Sequence, residues 1–209
     1  MMWKSEIFEI IKSIEKLKLS KNNKKFIEII KNPWGFDHSM PGEYHPASDK
    51  NEGETKWQRD IYDSEEYWYD LELPIGQNKS ALSARWSSLR VDLVGEIDSR
   101  PAICELKYTN RAANPFDAVL QLLAYYCMIK QNAEKLDRLS IHHTNNDIRN
   151  RPFKWVDLAD NPILILRAKG KYWDNWHEVT PKNKAARQII ELCKENGLDI
   201  RLYNDDKPL

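Results

Sequence analysis

The stretch that most constrains this chain runs from Leu89 to Ile129. Leu89 to Ile97 and Ala102 to Tyr108 are two segments rich in strand formers, and Asp98-Ser99-Arg100-Pro101 between them is rich in turn formers. That order predicts a β-hairpin. Asn114-Pro115 then supplies a helix cap and a first-turn proline, with Asp117 three residues after the cap. The spacing predicts a helix to about Gln131, apolar almost all round through Val119, Leu120, Leu122, Leu123, Tyr126, Cys127 and Ile129. Such a helix is stable only when buried against a sheet. Two strands and a buried helix in this order commit the chain to an α/β architecture.

The hairpin register decides which side chains meet. A turn symmetric about Ser99 and Arg100 pairs Ile97 with Ala102, Val94 with Glu105, and Asp92 with Lys107. Residues opposite one another share a sheet face, as do residues two apart. Asp92, Glu105 and Lys107 are therefore expected on one face. Val91, Leu93, Cys104 and Leu106 fall on the other, apolar face, which is expected to meet the buried helix. An odd-length loop or a bulge would shift this pairing by one residue. Two carboxylates at one spot bind Mg²⁺ or Mn²⁺, with waters and phosphate oxygens completing the shell. An adjacent lysine can orient or help deprotonate a water and stabilise charge building on a phosphate. Glu-x-Lys on a half-exposed strand is equally an ordinary salt bridge. The next helix adds weight, because Asp117, Gln121 and Tyr125 make a polar stripe at i, i+4 and i+8 on a face otherwise fit for burial. A glutamine facing the carboxylates and a tyrosine near a nucleic-acid strand would satisfy it, as would a glutamine at a sheet edge and a tyrosine reaching solvent.

Elsewhere the elements are simpler. Ile7, Ile10, Ile11, Ile14 and Leu17 predict an amphipathic helix, and a break near residues 20–23 separates it from a shorter one carrying Phe26, Ile27, Ile29 and Ile30. Residues 32–51 contain Pro33, Gly35, Pro41, Gly42 and Pro46 and read as a long loop. Glu52 to Tyr62 predicts a short helix with Glu54, Trp57, Gln58 and Ile61 on one face, and residues 67–73 a strand. Leu139 to His143 and Ile163 to Ala168 read as further strands, Pro181 to Asn196 as a second amphipathic helix, and Leu198 to Tyr203 as a last strand. The expectation is a mixed central β-sheet flanked by helices in one domain over 1–209. Within it, 1–51 form a helical extension and proline-rich loop, 52–145 the core, and 146–209 a C-terminal α/β elaboration.

Charge excludes some functions. Thirty-two Lys+Arg balance 32 Asp+Glu, so bulk charge does not hold this chain to nucleic acid. The balance is segregated: residues 1–31 carry eight Lys and four Glu, 49–72 nine acids and three bases, and 149–188 nine bases and four acids. The apolar runs are too short to cross a bilayer, so no membrane partner is expected. No signal-peptide pattern opens the chain, and Cys104, Cys127 and Cys193 sit singly in apolar segments. Together these give the expectation of a cytoplasmic protein with reduced, packed thiols.

In its motifs the chain resembles the PD-(D/E)xK nuclease superfamily. That family's pattern is an aspartate on one strand, a turn, Glu-x-Lys on the next strand, then a helix. Here it reads Arg-Val-Asp92-Leu-Val-Gly, a turn, Ile-Cys-Glu105-Leu-Lys107, a helix. Gln121-Leu-Leu-Ala-Tyr125 resembles the Gln-x-x-x-Tyr motif of the RecB-like exonuclease branch. Val91 stands where a proline often precedes the aspartate. The likeness covers about residues 52–145 and implies a restriction endonuclease-like core that hydrolyses phosphodiesters, commonly in DNA, with RNA left open. It further implies that Asp92, Glu105 and the Leu106 carbonyl hold Mg²⁺ or Mn²⁺, with Lys107 at the attacking water and Gln121 in the same site. Members often add a carboxylate from a preceding helix; Glu54 is the choice here because it shares a face with Trp57 and Ile61 and should point inward, with Glu52 and Glu66 as alternatives. Members that cut both strands often dimerise, so a homodimer belongs to the expectation. The alternative is a non-catalytic DNA-binding or assembly subunit on the same fold.

For nucleic-acid binding the candidates are Tyr125, Arg149, Arg151, Lys169 and Lys171. Lys154, Arg167, Lys182 and Lys184 could also grip phosphates, with Trp155, Tyr172, Trp173 and Trp176 stacking on bases, although aromatics beside lysines are more often core edges. His38, Glu43 and His45 match no zinc spacing. His142 and His143 alternate across a strand, so one at most faces any site.

Overall fold

A computed structural model describes residues 2–14, 19–33, 53–76, 89–109, 111, 113–139 and 154–209. Two helices, α1 (Met2–Ile14) and α2 (Lys21–Lys31), lead into α3 (Gly53–Ser64). Strands β1 (Trp68–Gly76), β2 (Leu89–Ile97) and β3 (Arg100–Thr109) follow, then the long helix α4 (Pro115–Leu139). The chain continues through α5 (Trp155–Asp160), β4 (Ile163–Gly170), α6 (Pro181–Glu195), β5 (Asp199–Asn204) and the short β6 (Lys207–Pro208). The strands form one six-stranded sheet in chain order from β1 to β6. Pairing is antiparallel from β1 to β3 and between β5 and β6, and parallel for β3–β4 and β4–β5. Parallel neighbours require crossovers, which α4 with α5, and then α6, provide.

Local chemistry sets the element boundaries. Ser20 caps α2 by accepting from the Asn23 amide, and Thr180 does the same for α6 from Asn183. Asn114 Oδ1 accepts from the Phe116 amide at 3.0 Å, so the cap expected ahead of α4 is present. Lys154 gives α5 no side-chain cap. Asp137 of α4 substitutes, taking the Trp155 and Val156 amides at 2.7 and 3.1 Å. The helix α4 extends past Gln131 to Leu139, so Leu139 does not begin a strand; the rest of that expected strand, with His142 and His143, lies outside the described residues. So do the 34–52 segment with His38, Glu43, His45 and Glu52, and Arg149 and Arg151.

The core is layered. On one face of the sheet, Val94, Ile103, Leu164 and Leu166 pack in a large cluster with α4, α6 and the isoleucines of α1 and α2. On the other, Leu71, Leu93, Ala102, Cys104, Leu106, Ile163 and Ile165 pack with Trp57, Ile61 and Tyr62 of α3. This corrects one expectation: the Leu93–Cys104–Leu106 face meets α3, whereas α4 covers the face that carries Glu105. The N-terminal helices belong to the main cluster, with Ile7, Ile29 and Ile30 fully buried.

The hairpin turn is also one residue earlier than expected. Asp98 and Ser99 both have positive φ, 52° and 59°, the signature of a two-residue type I′ loop. Ile97 therefore pairs with Arg100, Gly95 with Ala102, and Leu93 with Cys104. The displacement from the expected pairing is two residues, and an even displacement leaves the paired residues on their faces, whereas Val91, expected beside Leu93, packs instead on the α4 side. Gly95 is required by its neighbour strand, because a Cβ there would lie 2.0 Å from the Tyr67 carbonyl oxygen.

Candidate active site

The site forms where the β1–β2–β3 meander distorts. Leu71 pairs with Leu93 on the α3 side, yet Leu73 and its partner Val91 pack on the α4 side. Between them Glu72 has φ 52°. Both strands thus turn over together at Glu72 and Asp92. The β2–β3 pairing runs from Ile97–Arg100 to Leu93–Cys104. One residue further, Asp92 uses its side chain: Oδ2 accepts from the Leu106 amide at 2.7 Å. Its carbonyl accepts from Gln58 Nε2 of α3 at 2.7 Å. A carboxylate is thereby held between two strands, with its backbone satisfied from a helix.

Glu105 lies beside it, 1% exposed. Lys107 Nζ donates to Glu105 Oε1, and so does Gln121 Nε2 of α4 at 2.5 Å. Gln121 Nε2 also reaches the Tyr125 hydroxyl at 2.7 Å, so the i, i+4, i+8 stripe is satisfied inside the protein. Tyr125 is 6% exposed and backs Gln121 instead of offering a ring to the surface. Asp117, the third member, accepts from the buried Asn23 of α2 at 2.9 Å. Hence the structure brings Asp92, Glu105, Lys107, Gln121 and Tyr125 into one connected cluster on the α4 face.

Electrostatics define the cluster further. Burial and then the Glu105 charge push the Asp92 carboxyl well above its ordinary range, against the pull of Lys107 and the Leu106 amide. Burial, helped by the Glu54 charge, pushes Glu105 up as well, although the Lys107 charge and its hydrogen bond oppose this. Lys107 is driven up by Glu105, Asp92 and Glu54 in spite of its burial, so it stays an ammonium. Glu105 Oε2 is buried without a hydrogen-bond partner among the described residues. The buried Glu105 with its orphaned oxygen, beside the partly buried Asp92 whose carboxyl it raises, fits a hard divalent cation, which would satisfy that oxygen.

Glu54 lies close enough for its charge to raise Asp92, Glu105 and Lys107, but its carboxylate is engaged elsewhere. Its exposed carboxylate accepts from the Tyr108 amide at 2.7 Å, which ties the start of α3 to the end of β3. Among the described residues no three His, Cys, Asp or Glu side chains gather into a metal-binding group. The fit therefore rests on Asp92 and Glu105. Glu66 is exposed in the turn before β1.

Of the proposed phosphate grips, Arg167 is corrected to a structural role. It is 7% exposed, and its NH1 bonds Glu65 at 2.8 and 2.9 Å. Trp155, Tyr172, Trp173 and Trp176 are all buried in the main core, so the described structure uses them for packing. Lys171 is exposed and Lys169 partly so, both at the end of β4. Sequence reasoning did not assign the role of Gln58, although a glutamine beside Trp57 and Ile61 on the apolar face of α3 was the available signal. The three thiols are free and buried, with Cys127 pushed up to about 11 and Cys193 to about 12 by burial. They are inert packing groups.

Among the described residues no helix is long and apolar enough to cross a membrane. The chain matches no protein-family model, no curated protein and no solved structure.

Proposed function

We propose that this chain is a Mg²⁺- or Mn²⁺-dependent nuclease with a restriction endonuclease-like core, of the PD-(D/E)xK type, acting on DNA. The observation that carries the reading is the buried Glu105 beside the partly buried Asp92, with an orphaned Glu105 oxygen and Lys107 bound alongside. Asp92, Glu105 and the Leu106 carbonyl would hold the cation, which would supply Lewis acidity toward a water and the phosphate. Everything else is done by the chain. Gln58 and the Leu106 amide fix Asp92 from both sides, and Gln121 fixes Glu105, so neither carboxylate reorganises during reaction. Lys107, held protonated by three carboxylates, places a positive charge where the phosphate becomes more negative and serves as an electrostatic stabiliser more than as a base. The free, buried cysteines fit a reducing, cytoplasmic setting.

The test is cleavage of linear and circular, single- and double-stranded DNA and of RNA in Mg²⁺, Mn²⁺ or EDTA. Metal-dependent cleavage lost in Glu105→Ala and in Lys107→Ala supports the reading. Binding without cleavage in every metal would favour a non-catalytic nucleic-acid-binding subunit, and cleavage undiminished in both variants would remove this site from the chemistry.

A further inference from the structure

Strands β3 and β4 run parallel with Tyr108 directly opposite Lys169, so the two side chains share one face of the sheet. Trp57 of α3 packs against both. Its ring centroid lies 6.5 Å from that of Tyr108, tilted by 51°, and the Lys169 ammonium sits 5.7 Å from it. Trp57 is 8% exposed and belongs to the core, but Tyr108 is 39% exposed. Of the exposed large apolar side chains among the described residues, Tyr67, Tyr108, Val179 and Leu209, only Tyr108 lies at the end of β3, its side chain on the α3 face opposite that of Lys107.

This aromatic surface is rigidly built. Glu54 holds the Tyr108 amide, and the Arg167 guanidinium, fixed by Glu65, lies 5.8 Å from the Trp57 ring. The loop after β4 is anchored by the Lys171 amide on the Thr109 carbonyl at 2.9 Å. Gly170 permits that turn at φ 77°, where a Cβ would lie 2.3 Å from the Thr109 oxygen. Lys169 also pairs with Asp205 at 3.4 Å, with both side chains more than two-fifths exposed. A solvated pair of that kind exchanges readily for a phosphate.

An exposed ring on a fixed backbone, with an ammonium alongside, suits a nucleobase and its phosphate. Bases within a duplex already stack on one another and offer no free face. We propose that Tyr108 and Lys169 form a platform for an unpaired nucleotide of the substrate strand, on the α3 side of the strand end whose α4 side carries Lys107, its base stacked on Tyr108 and its phosphate against Lys169. This rests on the nuclease reading and specifies its substrate: single-stranded or frayed DNA.

The experiment measures binding of a fluorescein-labelled oligodeoxythymidylate, and of a blunt duplex of equal length, in Mg²⁺. The full chain is used in a Glu105→Gln background to suppress cleavage. Tyr108→Leu keeps apolar cover over Trp57 but removes the ring, and weakens single-strand binding by roughly tenfold or more. Tyr108→Phe and Tyr108→Trp restore it, duplex binding is unchanged, and Lys169→Gln lowers the salt dependence by about one phosphate contact. Melting curves of each variant confirm that folding is retained. Single-strand affinity unchanged in Tyr108→Leu, an equal loss for the duplex, or no rescue by Phe would each overturn the platform. If the wild-type chain cleaves in Mn²⁺ while Tyr108 proves inert, the platform falls alone. If it never cleaves but binding depends on Tyr108, the nuclease reading falls and the platform stands.

Discussion

Binding of a divalent cation should stabilise this fold by an amount that grows with pH. In the cation-free protein, burial raises both the Asp92 and the Glu105 carboxyl above their ordinary range. The fold therefore holds a proton more tightly than the unfolded chain does. Cation-free stability is greatest at low pH in respect of these two groups, and declines as pH rises from about 4 through the raised values. A cation must displace that proton, so releasing one proton makes its affinity rise about tenfold per pH unit within the window. At cation concentrations well above Kd, each tenfold adds about 1.4 kcal/mol to the unfolding free energy. For a chain of 209 residues that corresponds to roughly 3–6 °C in Tm per pH unit. The assay is a thermal melt with and without Mn²⁺ at pH 6, 7 and 8, against Asp92→Asn and Glu105→Gln. A Mn²⁺-induced rise in Tm is expected that increases with pH in the wild type and vanishes in both variants. A rise that is flat in pH, or that survives in Asp92→Asn, refutes it.

Three further outcomes follow from the same contacts. Lys107→Met should abolish cleavage while leaving Mn²⁺ stabilisation in place, since the lysine is argued to act on the phosphate and not to hold the metal; loss of both in melts and in turnover would contradict this. Gln121→Ala frees Glu105 and should reduce kcat or apparent metal affinity by about 10–100-fold, measured by steady-state cleavage across a Mn²⁺ titration. Gln58→Leu leaves the Asp92 carbonyl without its donor and should lower stability by about 1–3 kcal/mol in urea unfolding, together with a fall in cleavage.

Much of the fold is legible in the sequence because its signals are local. Asn114-Pro115 caps α4 as its chemistry requires, and Pro181 with Thr180 opens α6 in the same manner. The hairpin pattern brings Asp92, Glu105 and Lys107 together even with its turn one residue off, since a side-chain period of two tolerates an even slip. What local patterns do not carry is how layers close over those strands. Glu105 could be assigned to a face, but only the packed helices decide that α4 and Gln121 cover it while α3 covers Leu93 and Cys104. The turnover at Glu72 and Asp92 depends on a positive φ at a glutamate, which composition does not announce. Arg167 reads as a phosphate grip by charge and becomes a buried structural group because Glu65, 102 positions away, meets it. Tyr172, Trp173 and Trp176 look like base platforms until the contacts of α4 and α6 bury them, and the exposed aromatic is instead Tyr108.

The central claim is that the Asp92–Glu105 pair hydrolyses phosphodiesters. It is tested most directly by single-turnover cleavage of end-labelled DNA in Mn²⁺ by the wild type and by Glu105→Gln, with folding of both verified by melting. Loss of one of the two carboxylates proposed to hold the metal is predicted to lower the rate by about a thousandfold, the scale expected when preorganised electrostatics at a reacting group are removed. Equal rates in the two proteins would contradict the account.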